Sequence, residues 1–220
     1  METLRAMYET GIVPVFYHPD AEVVKGVARA CLEGGARLLE ITNRGDLAWQ
    51  VFADLERHCA AELPELITGV GSVVDPGTAA LYINCGASFV VGPTLDEDVA
   101  RTCNRRMVPY APGCGSVSEI SRAQELGCEI VKVFPGKQVG GPGFVKAVRG
   151  PMPWTSIMPT GGVELTEASL GEWFDAGVAC VGMGSNLITR ELLEKRDYRG
   201  VAANVARALE LVAGVRAADR

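Results

Sequence analysis

The sequence predicts an α/β protein, a single (β/α)8 TIM barrel spanning residues 1–220, with an N-terminal helix and an additional C-terminal helix. Three observations carry this expectation. Short apolar, β-branched runs alternate with helical patterns along the whole chain, the mark of parallel βα units. Glycine recurs a few residues before these runs, in Glu33-Gly34-Gly35-Ala36, Asn84-Cys85-Gly86-Ala87, Leu126-Gly127-Cys128 and Ala176-Gly177-Val178, as expected where helices are C-capped. The nucleotide-binding patterns G-x-G-x-x-G after the first strand and G-x-x-x-x-G-K-[ST] are both missing, which weakens an open doubly wound sheet. Eight such units fit this length most economically as a closed barrel.

Residues 1–10 read as a short amphipathic helix with Leu4, Met7 and Tyr8 on one side. Ile12 to Tyr17 is the first strand, and Asp20 caps a helix over 21–33. Leu38 to Thr42 is the second strand, followed by a helix over 46–60. Leu66 to Val70 is the third, after which Asp75-Pro76 supplies a cap and a proline at the first helical position. Phe89 to Val91 is the fourth, and Thr94-Leu95-Asp96-Glu97 reads as a capping box opened by Thr94.

Met107 to Ala111 is the fifth strand, and Ser116-Val117-Ser118-Glu119 repeats the box. Ile130 to Phe134 is the sixth, closed by Pro135, with a glycine-rich connection at 140–143 leading to a short helix. Thr155 to Met158 is the seventh, with Thr166 capping the helix after it, and Cys180 to Met183 is the eighth. Residues 187–195 and 198–214 read as helical, the latter with Val201, Val205, Leu209 and Val212 near helical spacing. No linker or low-complexity segment divides the chain.

Composition narrows the function classes. At 48% hydrophobic and 22% charged the chain is an ordinary globular protein. A net charge of -6 argues against a general nucleic-acid or anionic-membrane surface, though not against a local basic pocket. No apolar run reaches transmembrane length, and Met1-Glu2-Thr3-Leu4-Arg5 lacks a signal-peptide pattern. The seven cysteines form no C-x-x-C pair and fit buried, reduced thiols in a cytoplasmic protein. Cys114, between two glycines, has a sharper reading as a nucleophile, but only His18 and His58 are available as imidazole partners. Neither histidine completes a recognisable ligand cluster, so neither a metal nor a cofactor is expected.

The anomaly is Lys132, a charge in the middle of Ile130-Val131-Lys132-Val133-Phe134. Strand alternation puts it on one face with Ile130 and Phe134. Burial of an ammonium lowers its pKa, and a neutral lysine is a nucleophile able to form Schiff bases. Glu40 repeats the anomaly inside Leu38-Leu39-Glu40-Ile41. A structural ion pair between the two explains both charges; so does an active lysine served by a buried acid/base. Thr42 and Arg44 share the parity of Glu40, and an arginine at the rim presents a planar fork to a carboxylate.

In a barrel the active site lies at the C-terminal ends of the strands. Those ends carry Gly71-Ser72, Gly92-Pro93, Pro159-Thr160-Gly161-Gly162 and Gly182-Met183-Gly184-Ser185. Bare N–H groups at Gly161, Gly162, Gly184 and Ser185 fall where barrels often bind phosphate, after strands seven and eight. Tight turn geometry is the alternative reading of these glycines.

With these residues assembled, the chain resembles the 2-keto-3-deoxy-6-phosphogluconate / 4-hydroxy-2-oxoglutarate aldolase family over nearly its whole length. The resemblance is carried in order by Gly11-Ile12-Val13-Pro14-Val15, Leu39-Glu40-Ile41-Thr42-Asn43-Arg44 and Gly69-Val70-Gly71-Ser72-Val73. It continues through Pro112-Gly113, Val131-Lys132-Val133-Phe134-Pro135 and Pro159-Thr160-Gly161-Gly162-Val163. It implies a metal-free class I pyruvate aldolase acting on a small keto acid, usually a homotrimer. Lys132 would form the Schiff base and Glu40 would serve as acid/base. Arg44 would hold the pyruvyl carboxylate, beside Thr42, Phe134 and Ser72, the last standing where the family often has threonine. Pro93 would line the pyruvate pocket, and Gly161, Gly162, Gly184 and Ser185, with Thr160, the phosphate end.

Three stretches depart from the family pattern: Gly136, where alanine is common; Asn43-Arg44-Gly45-Asp46; and the last strand end, one residue longer than the usual Gly-Gly-Ser. Two other classes stay in view, a phosphosugar isomerase or epimerase on the same barrel and a non-catalytic phosphosugar-binding protein.

Overall fold

The computed structural model describes residues 2–218. Helix α1 (Glu2–Thr10) leads into strand β1 (Ile12–Phe16), and strand and helix then alternate: α2 (Ala21–Glu33), β2 (Leu38–Thr42), α3 (Ala48–Glu62), β3 (Ile67–Gly71), α4 (Pro76–Asn84), β4 (Val90–Val91) and α5 (Glu97–Arg105). The second half runs β5 (Tyr110–Ala111), β6 (Gly113–Cys114), α6 (Val117–Glu125), β7 (Val131–Val133), α7 (Gly141–Arg149), β8 (Ile157–Pro159), α8 (Glu167–Asp175) and β9 (Val181–Met183). Two helices end it, α9 (Arg190–Glu194) and α10 (Tyr198–Ala218).

Every paired strand is parallel, in a six-stranded sheet of order β5-β4-β3-β2-β1-β9 and a three-stranded sheet β6-β7-β8. The result is a parallel sheet curled into part of a barrel with helices packed outside. β5 and β6 flank Pro112 and together occupy the place of the fifth expected strand. The backbone carbonyl of Pro112 accepts from Lys132 N at 2.9 Å. At the other junction Ala179 N donates to Ile157 O at 2.9 Å, and Thr160 bridges in parallel to Gly182.

The alternation expected along the strands organises the interior. Val13, Leu38, Phe89, Val91, Ala111, Ile130, Met158 and Cys180 form an inner cluster inside the curled sheet, and Ala6 and Met7 of α1 pack into it. The opposite faces of the strands build the larger cluster against the helices. Glu40 and Thr42 therefore follow Leu38 inward, and Lys132 follows Ile130. The two glycines on the inner face of β3 make room: a β-carbon at Gly69 would strike the Phe89 ring, and one at Gly71 would coincide with the Glu40 carboxylate.

Most caps are as expected. Asp20 accepts from Glu22 N at 2.9 Å, Asp75 from Thr78 N at 2.8 Å and Thr166 from Ser169 N at 3.2 Å. Glu119 completes the second box by accepting from Gly115 N at 2.8 Å and from the Ser116 hydroxyl at 2.9 Å. The first box is corrected: Asp96, not Thr94, caps α5, its Oδ1 accepting from Val99 N at 2.8 Å. The Thr94 carbonyl instead accepts from the Tyr110 hydroxyl, which holds Thr94 in the loop.

The fifth strand is shorter than its apolar run, because Met107 takes a positive φ of 54° and stands 89% exposed. Helix α3 starts at Ala48 rather than 46, after Leu47 in a left-handed conformation, and only Arg190–Glu194 of 187–195 is helical. Tyr8, expected on the packed side of α1, points outward and bonds Ser156 Oγ at 2.6 Å.

Candidate active site

Lys132 and Glu40 stand on the inward faces of β7 and β2, 5% and 1% exposed. Both are charged residue types held in the apolar interior of the curled sheet, and burial pushes each toward neutrality. Desolvation lowers the Lys132 pKa; Glu40 opposes this and the positive charge of Arg44 adds to it. Desolvation raises the Glu40 pKa against the pull of Lys132 and Arg44. Glu40 and Lys132 feel each other's charge, yet Glu40 Oε2 is buried with no hydrogen-bond partner among the described residues. The pair is thus a buried amine and a buried carboxyl, each shifted toward its neutral form, with Glu40 Oε2 left without a partner and able to exchange a proton with a bound molecule.

One residue pair further along the same faces, the interior opens. Thr42, two positions past Glu40, and Phe134, two positions past Lys132, line a cavity of about 390 Å³. Lys132 Nζ lies 4.8 Å from the Phe134 ring centroid, so the lysine packs beneath an aromatic wall of the cavity, while neither Lys132 nor Glu40 is itself among the lining residues. Arg44, Thr160, Gly161 and Gly162 also line the cavity, as do Gly184 and Ser185. Ser72 and Pro93 stand at the ends of β3 and β4 but outside this lining. Ser72 holds a left-handed φ of 61°, uncommon for a residue with a side chain. The Pro93 carbonyl packs against Gly113, where a side chain would clash with it.

The glycine-rich rim is built as the turns require. Gly161 and Gly162 take φ of 92° and 82°, a region that favours glycine. Asn186 Nδ2 donates to Val163 O at 2.8 Å and ties the loop after β9 to the loop after β8. Thr160 Oγ1, next to Gly182, is buried without a partner.

The lining residues missed from the sequence include Tyr17, Arg190 and Leu193. Arg190 had a faint signal, as the cation following the long turn after the last strand. Cys114 is removed as a nucleophile: it is 1% exposed, and burial pushes its thiol up to about 12. Among the described residues, no three His, Cys, Asp or Glu side chains group as metal ligands.

Residues 4–204 match the family model described as KDPG and KHG aldolase. The chain belongs to this aldolase family. The KHG/KDPG aldolase of Escherichia coli (strain K12) is 32% identical over 200 residues, covering 90% of this chain and 91% of that protein. The 2-dehydro-3-deoxy-phosphogluconate aldolase of Dickeya dadantii is 34% identical over 210 residues, covering 94% and 92%. A crystal structure of KDPG aldolase from Legionella pneumophila superposes with a TM-score of 0.86 at 25% identity, covering 94% and 98%. That structure holds pyruvate captured at low pH as a covalent carbinolamine intermediate. Of the motifs read in the sequence, Thr42, Arg44, Phe134, Thr160, Gly161 and Gly162 line the cavity, whereas Gly69-Val70-Gly71-Ser72-Val73 and Pro112-Gly113 do not.

Proposed function

We propose that this chain is a class I aldolase that reversibly cleaves 2-keto-3-deoxy-6-phosphogluconate to pyruvate and glyceraldehyde 3-phosphate, and 4-hydroxy-2-oxoglutarate to pyruvate and glyoxylate. The observation that carries it is Lys132, a buried amine with a lowered pKa packed against Phe134 of the cavity wall and coupled to Glu40, whose Oε2 has no partner.

The neutral amine of Lys132 attacks the C2 carbonyl. The Glu40 carboxyl then gives its proton to the departing hydroxyl, so that loss of water from the carbinolamine leaves a protonated Schiff base and an ionised Glu40. That iminium is an electron sink: Glu40 takes the proton from the C4 hydroxyl, the C3–C4 bond breaks, and the electrons rest in an enamine. Proton return to C3 and hydrolysis release pyruvate. Arg44, whose charge is felt at both Lys132 and Glu40, holds the keto-acid carboxylate. Thr42, Phe134, Ser72 and Pro93 shape the pyruvyl end. Thr160, Gly161, Gly162, Gly184 and Ser185 receive the phosphate end, and the buried, unpartnered hydroxyl of Thr160 is a ready donor there.

Membership of the family favours cleavage over the isomerase and binding-protein alternatives. Reduction with borohydride in the presence of pyruvate should add a stable pyruvyl mass to the peptide containing Lys132. No adduct, or one that persists in Lys132→Ala, would end the Schiff-base mechanism.

We infer also that the sheet closes into an eight-stranded barrel forming one domain, supported by the continuity across Pro112 and by the Thr160–Gly182 bridge. A homotrimer is supported by apolar side chains left in water near the strand ends, Leu47 at 60% and Val74 at 57% exposed. Light scattering of the purified protein reads that directly. The free cysteines fit a cytoplasmic location, and no described helix is long and apolar enough to cross a membrane.

A further inference from the structure

Of the side chains lining the cavity, Arg44 and Arg190 are the charged ones among the described residues, and no carboxylate joins them. The two arginines occupy different ends. Arg44 stands just past the end of β2, two positions beyond Thr42, whereas Arg190 opens α9 beyond the loop after β9 and its side chain is 91% exposed. Arg190 therefore lies toward the mouth, away from the reacting carbons.

Its backbone is held and its side chain is free. Asn186 binds Val163 O, Asn204 Nδ2 donates to Leu187 O at 3.0 Å, and Thr189 caps the short helix by accepting from Leu192 N at 3.3 Å. These bonds fix the segment from which Arg190 projects. The guanidinium itself is 91% exposed, and its partner is Glu194 Oε1 at 2.6 Å, one turn along the same helix and 61% exposed. An exposed pair of this kind holds weakly and exchanges readily for a better anion. A phosphate monoester is that better anion, carrying close to two charges and oxygens matched to the planar fork.

We propose that Arg190 is the specificity-determining residue for a phosphate-terminated substrate, leaving Glu194 to pair with the phosphate over the Gly161-Gly162 and Gly184-Ser185 turns. The inference rests on the aldolase mechanism and names the side chain that reads the far end of its substrate. The role differs from the N–H cradle of those turns, which accepts an anion but supplies no full charge. A carboxylate terminus offers the fork one charge instead of nearly two, and its shorter reach from the reacting carbons favours it less.

The test compares wild type, Arg190→Gln and Glu194→Gln on three substrates. These are 2-keto-3-deoxy-6-phosphogluconate, its unphosphorylated counterpart, and 4-hydroxy-2-oxoglutarate, whose terminus is a carboxylate. Arg190→Gln should lower kcat/KM for the phosphorylated substrate about tenfold more than for the other two, through KM. Glu194→Gln, which frees the guanidinium, should raise kcat/KM for the phosphorylated substrate about twofold. Added salt should weaken the wild-type preference for phosphate and leave that of Arg190→Gln flatter.

Equal losses on all three substrates would make Arg190 merely structural and overturn the proposal. So would no loss, or a loss largest for the carboxylate substrate. Pyruvate trapping on each variant separates the two levels. A trapped adduct without phosphate discrimination defeats the role of Arg190 alone; no adduct in the wild type defeats the aldolase mechanism and this role with it.

Discussion

The Glu40 carboxylate lies against the backbone of Gly71, so that a β-carbon at Gly71 would occupy the place of Glu40 Oε1. The acid is thus positioned by an absent side chain on the neighbouring strand. Gly71→Ala should displace the carboxyl and lower kcat by at least about a hundredfold, the scale of a general acid/base contribution. Overpacking should cost only about 1–3 kcal/mol of stability, measured by urea unfolding. Lys132 should still trap pyruvate. A Gly71→Ala enzyme with near-normal turnover would show that the position of Glu40 is not what the reaction uses.

Glu40→Gln separates proton transfer from amine reactivity. Turnover should fall about 10²–10⁴-fold. The Lys132 pKa, already lowered by burial, should fall further, because the influence of Glu40 that raises it is gone. The rate of pyruvate-dependent reductive trapping rises with pH as the amine loses its proton. In Glu40→Gln that rise should move to lower pH; movement to higher pH would contradict the electrostatic coupling.

Glu56 on α3 is a second strained acid, outside the cavity. It accepts from the Thr68 hydroxyl, and burial pushes its pKa up to about 7. With a folded-state pKa above the ordinary carboxylate value, the native state holds its proton more tightly than the unfolded chain. Stability attributable to Glu56 is then highest below about pH 4.5 and falls as pH rises toward 7. Glu56→Gln keeps an acceptor for Thr68 and removes the buried charge. It should gain about 1 kcal/mol at pH 8 and almost nothing at pH 4.5, read from paired urea melts.

Thiol labelling tests the packing directly. Cys31, Cys59, Cys103, Cys114, Cys128 and Cys180 are buried, and burial pushes each thiol up to about 12. Cys85 is half-buried. A charged disulfide reagent at pH 8 should therefore modify one site in the native protein, lost in Cys85→Ser, and all seven after denaturation. Fast native labelling of Cys114 would show that the strand carrying it opens.

The parts of the site that were legible in the sequence are those where a residue breaks a local rule. Lys132 and Glu40 stand out because a charge interrupts an apolar, period-two run, and the same alternation fixes which neighbours share their face. The glycines at 161 and 162 stand out because their turns need a conformation that other residues avoid. Tyr17, Arg190 and Leu193 obey their local patterns, and only the long-range curling of the sheet brings them to one cavity. The capping error has the same origin. Thr94 and Asp96 are both good caps, and the contact between Thr94 and Tyr110 from the next strand decides between them.

Ala6 and Met7 seal the end of the curled sheet opposite the cavity. The proposed site is then a cup opening at the other end, with Lys132 beneath its Phe134 wall, and in the proposed reaction that geometry imposes an order on traffic. The aldehyde half, nearer the mouth, must depart before the covalently held half can be hydrolysed and follow. In the condensing direction the keto acid must enter first. Product inhibition should show it: pyruvate competes with the cleavage substrate for the empty enzyme, whereas the aldehyde binds the enzyme that still carries the pyruvyl half and so does not compete with that substrate.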